Sequence, residues 1–173
     1  MRLPRRDPGV PAAVIDRADL PRGQRPLAHA EAADGTWVLG TRSLLVVVAA
    51  EEVRRIPWEQ VEDASWDQDG ERLTLSEVGE YGAPRPAYAF DLADPALLLQ
   101  LVRERVTASI VLQRRVPVRG AQGVTVIGRR SPTGGEVSWM HAYDAGLDPD
   151  DPEVVAVADL ALFQARAEVG DPI

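Results

Sequence analysis

At 173 residues the chain has room for one ordinary domain and an appended element, and the absence of cysteine excludes disulfides, thiolate metal sites and a cysteine nucleophile. All 19 basic residues are arginine against 27 acids, and the net charge of −8 disfavours non-specific binding to phosphate backbones. The longest apolar run, Leu44 to Ala50, is far too short to cross a bilayer, and prolines and aspartates interrupt the N-terminal stretch where a signal peptide would need an apolar core. A soluble, cytoplasmic protein is the expectation.

Residues 1–25 hold four prolines and no sustained hydrophobic period, which predicts an extended arm or partly ordered tail. From Pro26 the pattern turns to strands. "LAHAEA" meets Asp34-Gly35, a hairpin signal, and "TWVLGT" and the β-branched "LLVVVAA" follow. "EVRRI" ends at Pro57, which cannot donate to a sheet ladder and so belongs at a strand edge or corner. In "WEQVEDASWD" a single strand would send Val61, Asp63 and Ser65 one way and Glu62, Ala64 and Trp66 the other. The turn "DQDG", the alternating "RLTLSEV", the loop "GEYGAPRPA" and "YAFDL" complete about seven closely spaced strands, the pattern of a small antiparallel barrel or sandwich.

The period then changes from 2 to 3.6. Asp94 as N-cap, Pro95 at the first helical position and an apolar stripe through Leu98, Leu101, Val102 and Leu112 predict a helix from Pro95 to Arg114, with Arg114 and Arg115 in its last turn. Beyond Pro117 a hairpin is expected, "QGVTVIGRR" pairing with "EVSWMHAYD" across "SPTGG". A last helix opens on Asp151 and Pro152, buries Val154, Val157, Ala158, Ala161, Leu162 and Ala165, and ends at Gly170. The expected organisation is therefore α+β: an arm at 1–25, a strand-rich domain with a capping helix at 26–116, and a hairpin and helix at 117–173 packed on the same domain.

The stretch "GTWVLGTRSLLVVVAAEEVRRIPWEQVEDASWDQDGERLTL" resembles bacterial PH-like proteins. Thr41, Arg42, Leu44, Val46 and Val47 match one of their strands, and Ile56, Pro57, Trp58 and Val61 match the turn into the next. The resemblance covers about residues 26–115 and implies a PH-like barrel or sandwich capped by an amphipathic helix. PH-like modules bind lipids or peptides or serve as structural parts, so fold alone names no activity. The whole chain also resembles a family of uncharacterised proteins from high-GC bacteria, which implies none either. Phosphoinositide-binding PH domains carry a basic first hairpin loop; here that loop is "EAADG", with two acids and no arginine, so this ligand is not expected.

Candidate functional residues are few. Charge is segregated: residues 26–102 carry a net −9, residues 103–130 a net +6 and residues 131–173 a net −8. Arg114, Arg115, Arg119, Arg129 and Arg130 would line one edge, able to meet an acidic segment of the chain itself or of a protein or peptide partner. Nucleic acid is a second use for such a cluster, but no aromatic series interleaves with it. His29 falls in an alternating strand, where a half-buried structural role is expected. His141 and Asp144, with Ser138 or Ser131 as nucleophile, would make a small hydrolase centre. The acids of "DAGLDPDDPE" lack the ligand order of a calcium loop and read as helix capping, and "GRRSPTGGE" lacks the ending of a phosphate-binding loop. No cofactor is expected. The leading expectation is a non-catalytic interaction or structural module.

Overall fold

The computed structural model describes residues 9–79 and 85–171, and the chain divides into two units, Met1–Arg103 and Glu104–Ile173. Three antiparallel sheets and three α-helices make up the described residues, a mixed α+β architecture.

In the first unit β1 (Ala28–Glu31), β2 (Trp37–Gly40), β3 (Leu44–Val48) and β4 (Val53–Pro57) form a meander in sequence order. The β1–β2 hairpin turns where Asp34-Gly35 predicts it: Gly35 takes φ 84°, and the Asp34 carboxylate accepts the Thr36 N–H at 2.9 Å. β5 (Val61–Asp67), β6 (Arg72–Glu77) and β7 (Ala87–Asp91) make a second sheet. The seven expected strands are present, but they do not close into a barrel. Pro57 ends β4, and a 3₁₀ turn over Trp58–Gln60 lifts the chain out of the ladder before β5 begins. On the other side, among the described residues, the isolated bridge Ala32–Leu92 and the Ala33 N–H donating to the Asp91 carbonyl at 3.0 Å link the two sheets.

The proline corner also decides where Trp58 goes. Its side chain is fully buried, with Nε1 donating to the Thr41 carbonyl at 3.1 Å. Trp66 sits half-buried in β5, so the two tryptophans do not share a strand face. A register shift between Val61 and Asp63 also breaks the expected alternation: Val61 is buried while Asp63 and Ser65 are exposed.

The arm is not wholly extended. Within its described part, α1 (Ala12–Ala18) is bracketed by Pro11 and by Asp19 in the left-handed region (φ 44°). Seven residues are too few for an isolated helix, so packing must hold it. Ala18 is fully buried against Leu39, Val46 and Val48; Arg55 donates to the Ala18 carbonyl at 2.8 Å, and Arg17 reaches the Ala49 and Ala50 carbonyls. Residues 1–8 of the arm, and 80–84 of the expected loop, lie outside the described residues.

The capping helix is shorter than its spacing predicts. α2 runs Ala96–Ser109, and β8 (Ile110–Arg119) follows without a break. Leu112 fits a helical stripe, yet Leu112, Arg114, Val116 and Val118 also alternate with the exposed Gln113, Arg115, Pro117 and Arg119, and this period of two prevails. Leu98 is fully buried and Leu101 nearly so, and both lie close to Gly40 on β2, where a Cβ would meet the Leu101 side chain at 2.5 Å.

In the second unit β8 pairs with β9 (Gln122–Arg129), and β9 with β10 (Ser138–Tyr143), so the expected hairpin is two strands of a three-stranded sheet. Pro117 is tolerated because β8 is an edge strand. α3 (Pro152–Val169) starts and stops as its caps predict: the Asp151 carboxylate accepts the Glu153 N–H at 2.9 Å, and Gly170 takes the left-handed C-terminal position. Its buried Ala161 and Ala165 pack with Val126, Leu112, Val116 and Trp139. No helix among the described residues is long and apolar enough to cross a membrane.

Candidate functional site

The five arginines do not form one free edge. Arg114 and Arg115 lie on opposite faces of β8, as neighbours in a strand must. Arg114 pairs with Glu168 on α3. Arg115 pairs with Asp144 and also donates to the Ala121 carbonyl. Arg119 holds the start of α3 through Glu153 at 2.7 Å and Asp151 at 2.9 Å. The basic strip therefore meets the chain's own acidic flank, one of the two outcomes its charge pattern allows. Hydrogen bonds from Arg115 and from the Gly123 N–H hold the Asp144 carboxyl below the ordinary carboxylate range, and the Glu153 N–H and Arg119 do the same for Asp151.

The last two arginines differ sharply although they are adjacent. Arg129 is 4% exposed and donates through Nη1 to the Ser109 hydroxyl at 2.9 Å, so it is an interior residue rather than a surface contact. Arg130 is exposed at the end of β9, its backbone N–H held by the Ser109 carbonyl at 2.8 Å, and its guanidinium has no ion pair among the described residues.

Arg130 lines a cavity of about 540 Å³ between the α2–β8 junction and the β9–β10 turn. Its lining includes the apolar Ile110, Val111 and Pro132 and the polar Arg130, Ser131 and Thr133. A register shift between Ile110 and Leu112 makes Val111 an extra residue in β8, a bulge of the kind that re-aims side chains beside sites. The Ser131 and Thr133 hydroxyls lie 2.9 Å apart, so one donates to the other and one O–H remains to serve a ligand. A volume in this range suits a small ligand or a pair of peptide side chains. A second cavity of about 420 Å³, in the first unit, is lined by Asp34, Arg72 and Asp91, but there a two-pronged bond to Asp91 (2.7 and 3.1 Å) already occupies the arginine.

The hydrolase constellation is not assembled. Asp144 is committed to Arg115 and to the Gly123 N–H at 2.8 Å, and no hydrogen bond joins it to His141. Ser138 lies three residues from His141 on the same strand and so points to the opposite face, while Ser131 bonds Thr133. The His141 ring lies 6.0 Å from that of Tyr143, and its buried Nε2 has no hydrogen-bond partner among the described residues. His29 is half-buried in β1, 5.8 Å from the Trp37 ring. The acidic run before α3 serves as turn and cap, with Asp148 accepting the Asp150 N–H at 3.0 Å.

Arg130 was within reach of sequence reasoning; its cavity was not. The bulge at Val111 has no sequence signature, because the helical pattern overlies it. Comparisons with protein-family models, with curated proteins and with solved structures give no match.

Proposed function

We propose that the chain is a non-catalytic, PH-like interaction module that takes an acidic segment of a partner protein at the Arg130 cavity. One observation carries this reading. Of the basic strip, Arg114, Arg115 and Arg119 are neutralised by the chain's own carboxylates and Arg129 is interior, which leaves Arg130 exposed, unpaired among the described residues and set in a concave surface. An exposed guanidinium in a cleft recognises carboxylates in a two-pronged geometry that lysine cannot match. The order of strands followed by a helix supports the PH-like part of the proposal, and PH-like modules include peptide binders. Nucleic acid fits less well, since the arginines that would follow a phosphate backbone are already paired.

Fluorescence polarisation with a labelled glutamate-rich peptide tests the reading. Binding should weaken with salt and fall at least tenfold in Arg130→Gln, while Arg114→Gln has little effect. Equal binding by wild type and Arg130→Gln would place the acidic partner elsewhere.

A further inference from the structure

We infer that the outer face of α3 is a self-association surface, on which a second copy of the chain lays its own α3 antiparallel. The Arg130 cavity plays no part in it. α3 is apolar on two sides: its inner stripe of Val154, Ala158, Ala161 and Ala165 is buried, and only five of its 18 residues are polar. A helix with a single buried face carries polar residues on the other. Here Leu160 is 58% exposed and Phe163 51% exposed, and Ala156 and Ala167 are exposed beside them. At about 3.6 residues per turn these four fall within about 60° of one another, opposite the buried stripe. Single exposed apolar side chains are ordinary, whereas a continuous stripe of them marks a contact surface.

Spacing and charge identify the occupant. Ala156, Leu160, Phe163 and Ala167 are separated by four, three and four positions, the seam spacing of a helix pair. An antiparallel pair with its two-fold axis between positions 161 and 162 sets Leu160 against Phe163 of the second copy, and Ala156 against Ala167. The large side chains then share the centre, and the small ones let the backbones approach at the ends. The same register brings Asp159 beside Arg166 of the second copy, twice by symmetry, because both flank the stripe on one side. Neither group is fully used within the chain. Asp159 is exposed, with no ion pair among the described residues. Arg166, 35% exposed, stands 3.8 Å from Asp171, which already accepts the Trp139 indole N–H at 2.8 Å. The Arg166 Nε has no hydrogen bond among the described residues. A parallel pair would put Asp159 opposite the uncharged Gln164 and align the two helix dipoles, which antiparallel packing opposes. The seam is short, so the dimer belongs to the weak, small-interface class.

The test is sedimentation velocity on the full chain from about 1 to 500 µM, a range in which a weak dimer should assemble. Leu160→Glu, a change at an exposed helix position, should keep the fold by circular dichroism and leave a monomer throughout. Asp159→Arg should raise the dissociation constant about tenfold, and adding Arg166→Asp to it should restore the pairing. Because the chain has no cysteine, cross-linking reads the register directly. Mixed Ala156→Cys and Ala167→Cys chains should form a disulfide-linked dimer under mild oxidation. Either variant alone should not, its two thiols standing about 16 Å apart along the helices. This readout leaves Arg166 untouched and holds should its replacement disturb the fold. A monomer at every concentration, or a dimer indifferent to Leu160→Glu, overturns the inference. A link formed by Ala156→Cys alone, or none in the mixture, overturns the antiparallel pairing.

Discussion

The Asp144 carboxylate closes on the Arg115 guanidinium, and its second partner is the Gly123 amide rather than the His141 imidazole. This one carboxylate thereby ties the end of β10 to β8 and β9, withdraws Arg115 from the surface charge available to a partner, and leaves His141 without the orienting acid a triad needs. The consequence is acid sensitivity. Asp144 and Asp151 both titrate below the ordinary carboxylate value in the folded chain, through bonds from Arg115 and Gly123 in one case and from Glu153 and Arg119 in the other. As pH falls, the unfolded chain takes up these protons first, near pH ~4. The contribution is thus complete above that range and lost as pH falls through the lower folded values. The denaturation midpoint should drop on acidification, and Asp144→Asn with Asp151→Asn should flatten that drop. An unchanged slope in the double variant would mean that other carboxylates govern it.

Gly128 and Trp139 make the second prediction. They face each other in the β9–β10 register, and a Cβ on Gly128 would come within 2.8 Å of the indole ring. That ring cannot simply turn away, because its Nε1 donates to Asp171 at 2.8 Å and its body packs among Val126, Ala161 and Leu162. Gly128→Ala should therefore cost about 1–3 kcal/mol, the usual penalty for overpacking. Chemical denaturation measures it, and a loss below about 0.5 kcal/mol would show that the indole moves freely.

What could be read from the sequence was local, and what escaped depended on partners distant in the chain. The Asp34-Gly35 turn and both caps of α3 are decided by residues within a few positions of one another, and all three occur as expected. The end of α2 escaped because Leu112 satisfies both periods, and only the pairing of β8 with β9 decides between them. α1 escaped because its stability comes from β3 and β4, through Ala18 and Arg55, not from its own seven residues. The candidate site was half legible. Five arginines were visible, but Arg114 finds its carboxylate 54 residues away, and no local pattern separates it from Arg130.

Trp58 tests the proline corner. It is fully buried and donates to Thr41, whose hydroxyl in turn donates to the Gln24 side chain at 2.7 Å, so one network joins the corner, β2 and the segment after α1. Trp58→Phe keeps an aromatic ring but leaves the Thr41 carbonyl without this donor, at an expected cost of about 1–3 kcal/mol. Trp58→Ala adds a cavity and should cost about 3–5 kcal/mol. Thermal or urea unfolding reports both, and an unchanged stability in Trp58→Phe would show that the indole N–H contributes nothing.

Tyr88 predicts an alkaline transition. Burial, then the hydrogen bond to Glu77 at 2.5 Å, pushes its phenol up to about 12, against an ordinary value of 10.0. The unfolded chain loses this proton first as pH rises, so the stabilisation is intact below pH ~10 and fades as pH climbs through the folded value. Phenolate absorbance should show one tyrosine ionising late, and Tyr88→Phe should remove that late component alone. If the late component survives the substitution, it belongs to another tyrosine.

Arg129 and Arg130 should respond in opposite ways to the same change. Arg129→Gln removes a buried guanidinium that bonds Ser109, itself fully buried and donating to the Val106 carbonyl at 2.7 Å. Losing a hydrogen bond from a charged donor at an interior site costs about 1.5–3 kcal/mol, so this variant should unfold at clearly lower denaturant. Arg130→Gln alters an exposed side chain without an ion pair among the described residues and should stay within about 0.5 kcal/mol of wild type. Peptide binding should show the reverse order, with Arg130→Gln impaired and folded Arg129→Gln close to wild type. If both variants lost stability equally, Arg130 would be a structural residue, and the cavity would have no free cation to offer a ligand.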